Sequence, residues 1–131
     1  VPIPGTELNV SRIALGTWAI GGWLWGGTDE KASIATIHAA LDKGVTLIDT
    51  APVYGFGRSE EIVGRALKAY GRRDNVCLAT KAGLEWKNGK ISRNSDPAKI
   101  AFEVEDSLRR LQTDVIDESI VILVEGSQPD G

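Results

Sequence analysis

Residues 49–60 read Asp49-Thr50-Ala51-Pro52-Val53-Tyr54-Gly55-Phe56-Gly57-Arg58-Ser59-Glu60. Just before them, Val45-Thr46-Leu47-Ile48 is apolar and partly β-branched, as buried parallel strands tend to be. Just after them, a helix is expected from about Ser59 to Tyr70. Ser59 suits its N-cap, Glu60 and Glu61 suit the positive end of its dipole, and Gly71 suits its stop. Strand, glycine-punctuated loop and helix make one βα unit, and that unit recurs on both sides.

Upstream, Arg12-Ile13-Ala14-Leu15 reads as a short strand leading into Gly16-Thr17-Trp18. A helix follows from about Asp29 to Lys43, with Asp29 as N-cap, Gly44 as the C′ residue and Ile34, Ile37 and Leu41 as its apolar stripe. Downstream, Val76 to Ala79 reads as the third strand. A third helix runs from about Asp96 to Leu111, with Pro97 at its first position. Ile100, Val104, Leu108 and Leu111 are its expected buried stripe, and Ile120 to Val124 can supply a fourth strand. The strands recur about every thirty residues, a suitable length for a βα repeat. Strict alternation implies an α/β fold with a parallel sheet and right-handed crossovers. Periodicity leaves a doubly wound open sheet and a (β/α)8 barrel both standing. In either, chemistry belongs at the carboxyl ends of the strands. Gly21 to Gly27 and Leu84 to Ser95 read as loops at that end, the second turning at Lys87-Asn88-Gly89.

The chain has 131 residues, 42% hydrophobic and 25% charged, with a net charge of −3. These values fit one folded domain over residues 1–131 and argue against a nucleic-acid-binding face. No apolar run approaches the roughly 20 residues of a membrane span, and Val1 to Val10 lacks the pattern of a secretory signal. The single cysteine, Cys77, precludes an internal disulfide and lies in an apolar run. A small buried core residue in a reducing, cytoplasmic setting is the expectation.

Asp49 follows the second strand, Lys81 the third, and Tyr54 lies in the loop after Asp49. Adjacent parallel strands place such ends side by side. A free tyrosine, with a pKa of about 10, is a poor acid at neutral pH. A lysine cation beside a phenol favours ionisation, and an aspartate beside the lysine keeps it charged and in place. Such a group can give a proton to a carbonyl oxygen while hydride reaches the carbon. Taken singly, each residue has an ordinary alternative: Asp49 a turn cap, Lys81 a solvated strand-end charge, Tyr54 an apolar cover.

The run from Asp49 to Glu60 resembles the aldo-keto reductase signature, with Asp-Thr-Ala, then Tyr-Gly, then Gly-x-Ser-Glu opening a helix. Gly64 and Ala66-Leu67 continue it. Leu15-Gly16-Thr17-Trp18, Thr80-Lys81, Asp106 to Leu111 and Thr113-Asp114 resemble further family segments in the correct order, over roughly residues 5–117. The resemblance implies the N-terminal portion, about the first four strands, of a (β/α)8 barrel. It implies an NAD(P)H-dependent oxidoreductase that reduces aldehydes or ketones. NADPH is the commoner cofactor and NADH the alternative. Tyr54 would be the general acid, tuned by Lys81 and Asp49. Gly16, Thr17, Trp18 and Asp49 would lie against the cofactor, and Trp18 and Trp86 against the substrate. Trp23 and Trp25 are weaker pocket candidates, with loop packing favoured. No metal ligand set is indicated.

Two features depart from the family pattern. The family's catalytic histidine, at the end of its fourth strand, has no counterpart. His38 falls in the middle of the first helix and reads as a packing or surface residue. Residues 118–131 leave the pattern, and a whole barrel needs roughly 250 residues. A half-barrel by itself exposes two parallel edges, so self-association or the other barrel half is expected to cover them. An inactive half-barrel and a cofactor-sensing binding subunit of the same fold are the competing functional readings.

Overall fold

In the computed structural model, residues 1–22, 26–94 and 96–121 are described. Three helices alternate with parallel strands. The order is β1 (Ala14–Gly16), a 3₁₀ turn (Ala19–Gly21), α1 (Glu30–Asp42), β2 (Leu47–Asp49), α2 (Arg58–Tyr70) and β3 (Cys77–Ala82). Then come β4 (Leu84–Lys87), β5 (Lys90–Arg93), α3 (Pro97–Leu111) and β6 (Glu118–Val121).

The main sheet has the order β1-β2-β3-β6, all parallel. The register aligns Leu15 with Ile48 and Leu78, and Gly16 with Asp49 and Ala79. Each strand lies beside its predecessor, without the reversal of a doubly wound sheet, as in a (β/α)8 barrel. Side chains alternate between the two faces. Ile48 and Leu78 face the helices and join Ile37, Ile62, Val63, Ala66, Leu67 and Leu111 in the core. Asp49 and Lys81 therefore face away from the helices.

The helix ends follow local chemistry. The Asp29 carboxylate accepts from the Ala32 amide at 3.1 Å, and Asp96 accepts from the Ala98 amide at 3.0 Å. The α2 start differs from the expectation. Gly57, with φ of 96°, is the N-cap, and Ser59 lies inside the helix. The left-handed backbone at Gly57 puts the cap two residues earlier and frees the Ser59 hydroxyl for other partners. The segment 84–93 also differs: it is a two-stranded antiparallel hairpin rather than a plain loop. Asn88 (φ 52°) and Gly89 (φ 74°) form its tight turn, as Asn-Gly pairs favour.

The buried stripe of α3 is not the expected one. Glu103, Ser107 and Leu111 are buried, while Ile100, Val104 and Leu108 are only half-buried. Two polar residues thus occupy the centre of the packed face. β6 starts at Glu118, two residues before the expected run, because its ladder with β3 aligns Ala79 with Glu118. Residues 122–131, and with them the end of that run, lie outside the described residues, as do Trp23 and Trp25. Cys77 is buried in β3. His38 packs between α1 and α2, with Nε2 2.7 Å from the Ala66 carbonyl and its ring 5.3 Å from that of Tyr70. No helix among the described residues is long and apolar enough to cross a membrane.

Candidate active site

The carboxyl ends of β1, β2 and β3 converge. Lys81 Nζ donates to Asp49 Oδ1 at 2.6 Å and to the Thr50 carbonyl at 2.9 Å. The same ammonium stands 5.1 Å from the Tyr54 ring centroid. Trp18 stacks on Tyr54 with centroids 6.1 Å apart and planes 23° apart. Asp49, Tyr54 and Lys81 are therefore brought together, with Trp18 at their rim. The Lys81 side chain is 18% exposed and that of Asp49 37%, so the pair is sheltered but reachable. This favours a strong, directional ion pair over a solvated one.

The Tyr54 loop is tightly wound. Tyr54 donates its amide to the Ala51 carbonyl at 3.2 Å, and Gly57 donates to Pro52 at 2.7 Å. Gly55, Phe56 and Gly57 all have positive φ. The 3₁₀ turn after Trp18 presses on this loop from above. A Cβ on Gly21 would lie 2.5 Å from the Tyr54 carbonyl carbon and 2.7 Å from the Gly55 nitrogen. Glycine at position 21 is what lets the two backbones touch.

The remaining predicted residues divide. A Cβ on Gly16 would meet no atom within 4 Å, so the sheet surface beside Asp49 is open there. Trp18 is 47% exposed. Thr17, in contrast, is completely buried on the helix side of the sheet, where its hydroxyl donates to the Asp49 carbonyl at 3.0 Å. Trp86, on β4, is half-buried and packs on Phe56 at 5.9 Å and under the Arg110 guanidinium at 5.9 Å.

A polar layer behind the site escaped the sequence reading. Glu60 is completely buried. Its Oε1 accepts from the Thr80 hydroxyl at 2.6 Å and its Oε2 from Arg110 Nε at 2.6 Å. Glu103 Oε2 accepts from the Gly83 amide at 3.0 Å. The available signal was the pair Glu103 and Ser107 at helical spacing with Leu111, polar residues on an otherwise apolar face.

The Aldo/keto reductase family matches residues 12–123. The chain belongs to that family. Aldo-keto reductase YhdN of Bacillus subtilis (strain 168) is 66% identical over 115 residues, covering 88% of this chain and 35% of the relative. The NADH-specific methylglyoxal reductase of Escherichia coli (strain K12) is 43% identical over 129 residues, covering 89% of this chain and 39% of the relative. A solved glycerol dehydrogenase from Gluconobacter oxydans is 57% identical with a TM-score of 0.81, over 92% of this chain and 38% of that one. The chain thus spans between a third and two fifths of the length of these relatives. Its α/β fold is part of the aldo/keto reductase barrel, with β1, β2, β3 and β6 as four successive barrel strands.

Proposed function

We propose that this aldo/keto reductase chain carries the proton-donating part of a site that reduces aldehydes or ketones to alcohols. The observation that carries the reading is the Lys81 ammonium, held 2.6 Å from Asp49 and 5.1 Å from the Tyr54 ring. Family membership and the name of the methylglyoxal-reducing relative support the reaction class. Residues 1–131 are read as a single barrel portion.

A reduced nicotinamide, NADPH or NADH, would supply hydride when bound. The open surface at Gly16, the accessible Asp49 carboxylate and the exposed Trp18 ring fit a flat ring and a ribose hydroxyl. Thr17 would contribute through its main chain, since its side chain faces the helices. Tyr54 would place its hydroxyl against the substrate oxygen and donate the proton. Lys81 would stabilise the charge left on the phenolate, and Asp49 would keep Lys81 aimed at it. Trp18 and Trp86 would offer aromatic surface to the substrate's apolar part.

The test is oxidation of NADPH, and separately NADH, followed by absorbance with a small aldehyde. Tyr54→Phe should lower turnover by roughly 10²- to 10⁴-fold, the range of a lost general acid. Cofactor affinity, read by fluorescence titration, should stay near that of the unaltered chain. Unchanged turnover in Tyr54→Phe would remove the tyrosine from its role.

A further inference from the structure

The Gly57-Arg58-Ser59-Glu60 segment contributes no side chain to the proposed chemistry, yet two of its residues are completely buried. Thr17, Thr50 and Thr80 explain what they meet. The ladder continues past β1 and β2, with the Thr17 amide bonded to the Asp49 carbonyl at 3.1 Å and the Thr50 amide to the Ala79 carbonyl at 2.9 Å. The three threonines therefore form one row on the helix side of the sheet, exposed by no more than 1%. The first turn of α2 lies against that row. The Ser59 hydroxyl is 2.8 Å from Thr17 Oγ1, 3.0 Å from the Thr17 carbonyl and 3.1 Å from Thr50 Oγ1. Glu60 holds Thr80.

The proton count is consistent. Thr17 donates to the Asp49 carbonyl, Ser59 donates to Thr17, and Thr50 then donates to Ser59. The Ser59 amide also donates to the Tyr54 carbonyl at 3.1 Å, closing the loop that carries the phenol. One residue thus ties together Thr17 beside Trp18, Thr50 beside Asp49, and Tyr54 itself. The Thr50 carbonyl is in turn a Lys81 acceptor.

We infer that Ser59 is a positioning residue: its buried hydroxyl, with Thr17 and Thr50, sets where the Tyr54 phenol stands relative to Trp18, Asp49 and Lys81. This rests on the proposed role of Tyr54 and adds a residue that never touches substrate. Without the Ser59 hydroxyl, Thr50 loses its acceptor and Thr17 its donor where water has no access. The loop then shifts to find other partners.

The chain has two tyrosines, so ring-carbon-labelled tyrosine gives a direct readout by NMR. Tyr70, at the far end of α2, is the internal control. Ser59→Ala should move or broaden the Tyr54 ring signals, because stacking on Trp18 makes them sensitive to ring position, and should leave Tyr70 in place. Ser59→Cys should restore them in part. Ser107→Ala, which removes another buried hydroxyl on α3, should leave both unchanged. In turnover assays kcat should fall about 10- to 100-fold with KM changing much less, as a misplaced reacting group produces. Should Ser59→Ala fail to fold, Thr50→Val is read in the same way. Tyr54 signals that superimpose on those of the unaltered chain, with only the melting temperature lowered, would overturn the inference. Full turnover in Tyr54→Phe would instead remove the phenol from proton donation while leaving the reductase reading in place, and the ring signals would still judge Ser59.

Discussion

Removing Arg110 should destabilise the chain more than neutralising Glu60. The two side chains form an ion pair at 2.6 Å between α3 and α2. Arg110 keeps 18% of its side chain exposed, while Glu60 has none. In Arg110→Met the Glu60 carboxylate stays in a site without water, held only by the Thr80 hydroxyl. Stranding one partner of a buried pair costs about 3–5 kcal/mol. In Glu60→Gln an amide oxygen can still accept from Thr80, and the Arg110 guanidinium can lean toward solvent. That loss should be nearer 2 kcal/mol, the value of a charge-assisted hydrogen bond. The double variant Glu60→Met, Arg110→Met removes both charges from the interior and should return to within about 1 kcal/mol of the starting stability. Urea unfolding followed by circular dichroism compares the three variants with the unaltered chain. With a slope of roughly 2 kcal/mol per molar urea, Arg110→Met should lower the midpoint by about 2 M and Glu60→Gln by about 1 M. An Arg110→Met loss below about 1 kcal/mol, or a double variant less stable than Arg110→Met alone, would refute the buried-pair argument.

Two other outcomes follow from single contacts. Gly64→Ala places a Cβ 2.5 Å from the Arg110 carbonyl oxygen and 2.8 Å from the Leu111 carbonyl carbon. Steric cost of about 1–3 kcal/mol should outweigh the helix-propensity gain of about 1 kcal/mol, so thermal unfolding should move down; a rise would contradict the close α2–α3 approach. The Tyr70 hydroxyl donates to Asp42 at 2.7 Å, and that bond raises its pKa above the usual 10. Because the folded-state value is raised, this contribution is fully present below about pH 10 and is lost as pH climbs from there through the higher folded-state pKa. Tyr70→Phe should therefore flatten the alkaline fall in melting temperature above about pH 10, and an unchanged slope there would dismiss the bond as a contributor.

The strand ends and helix caps were legible because they depend on near neighbours. Asp29 and Asp96 cap their helices through amides two or three residues away. Asp49 and Lys81 at successive strand ends could be read as neighbours, and the Asp49 to Glu60 signature selected that reading over the ordinary alternatives. What stayed hidden depends on partners distant in sequence. Ser59 looked like a cap, but Gly57 has that position, and the hydroxyl bonds across 42 residues to Thr17. Glu60 looked like a partner of the helix dipole, yet its ion-pair partner Arg110 lies 50 residues on. The β4–β5 hairpin was hidden by its shortness: Leu84 and Trp86 alternate with Glu85 and Lys87 over only four residues, β5 has Ile91 alone among Lys90, Ser92 and Arg93, and the Asn-Gly turn carried the clearer local signal.

The same alternation explains why the reacting and supporting groups are adjacent in the chain. Asp49 is followed by Thr50, and Lys81 is preceded by Thr80. One member of each pair faces away from the helices and the other faces α2. Gly16-Thr17 repeats the arrangement on β1. A strand end built this way couples what the front side chain does to what the back side chain bonds, because one peptide links them and cannot turn for one alone. Shifting the register of β2 or β3 by one residue would exchange the two faces, burying a carboxylate or an ammonium against α2. The threonine row and the first turn of α2 therefore oppose such a shift as much as the apolar core does, and they do so directly beneath the residues on which the proposed chemistry depends.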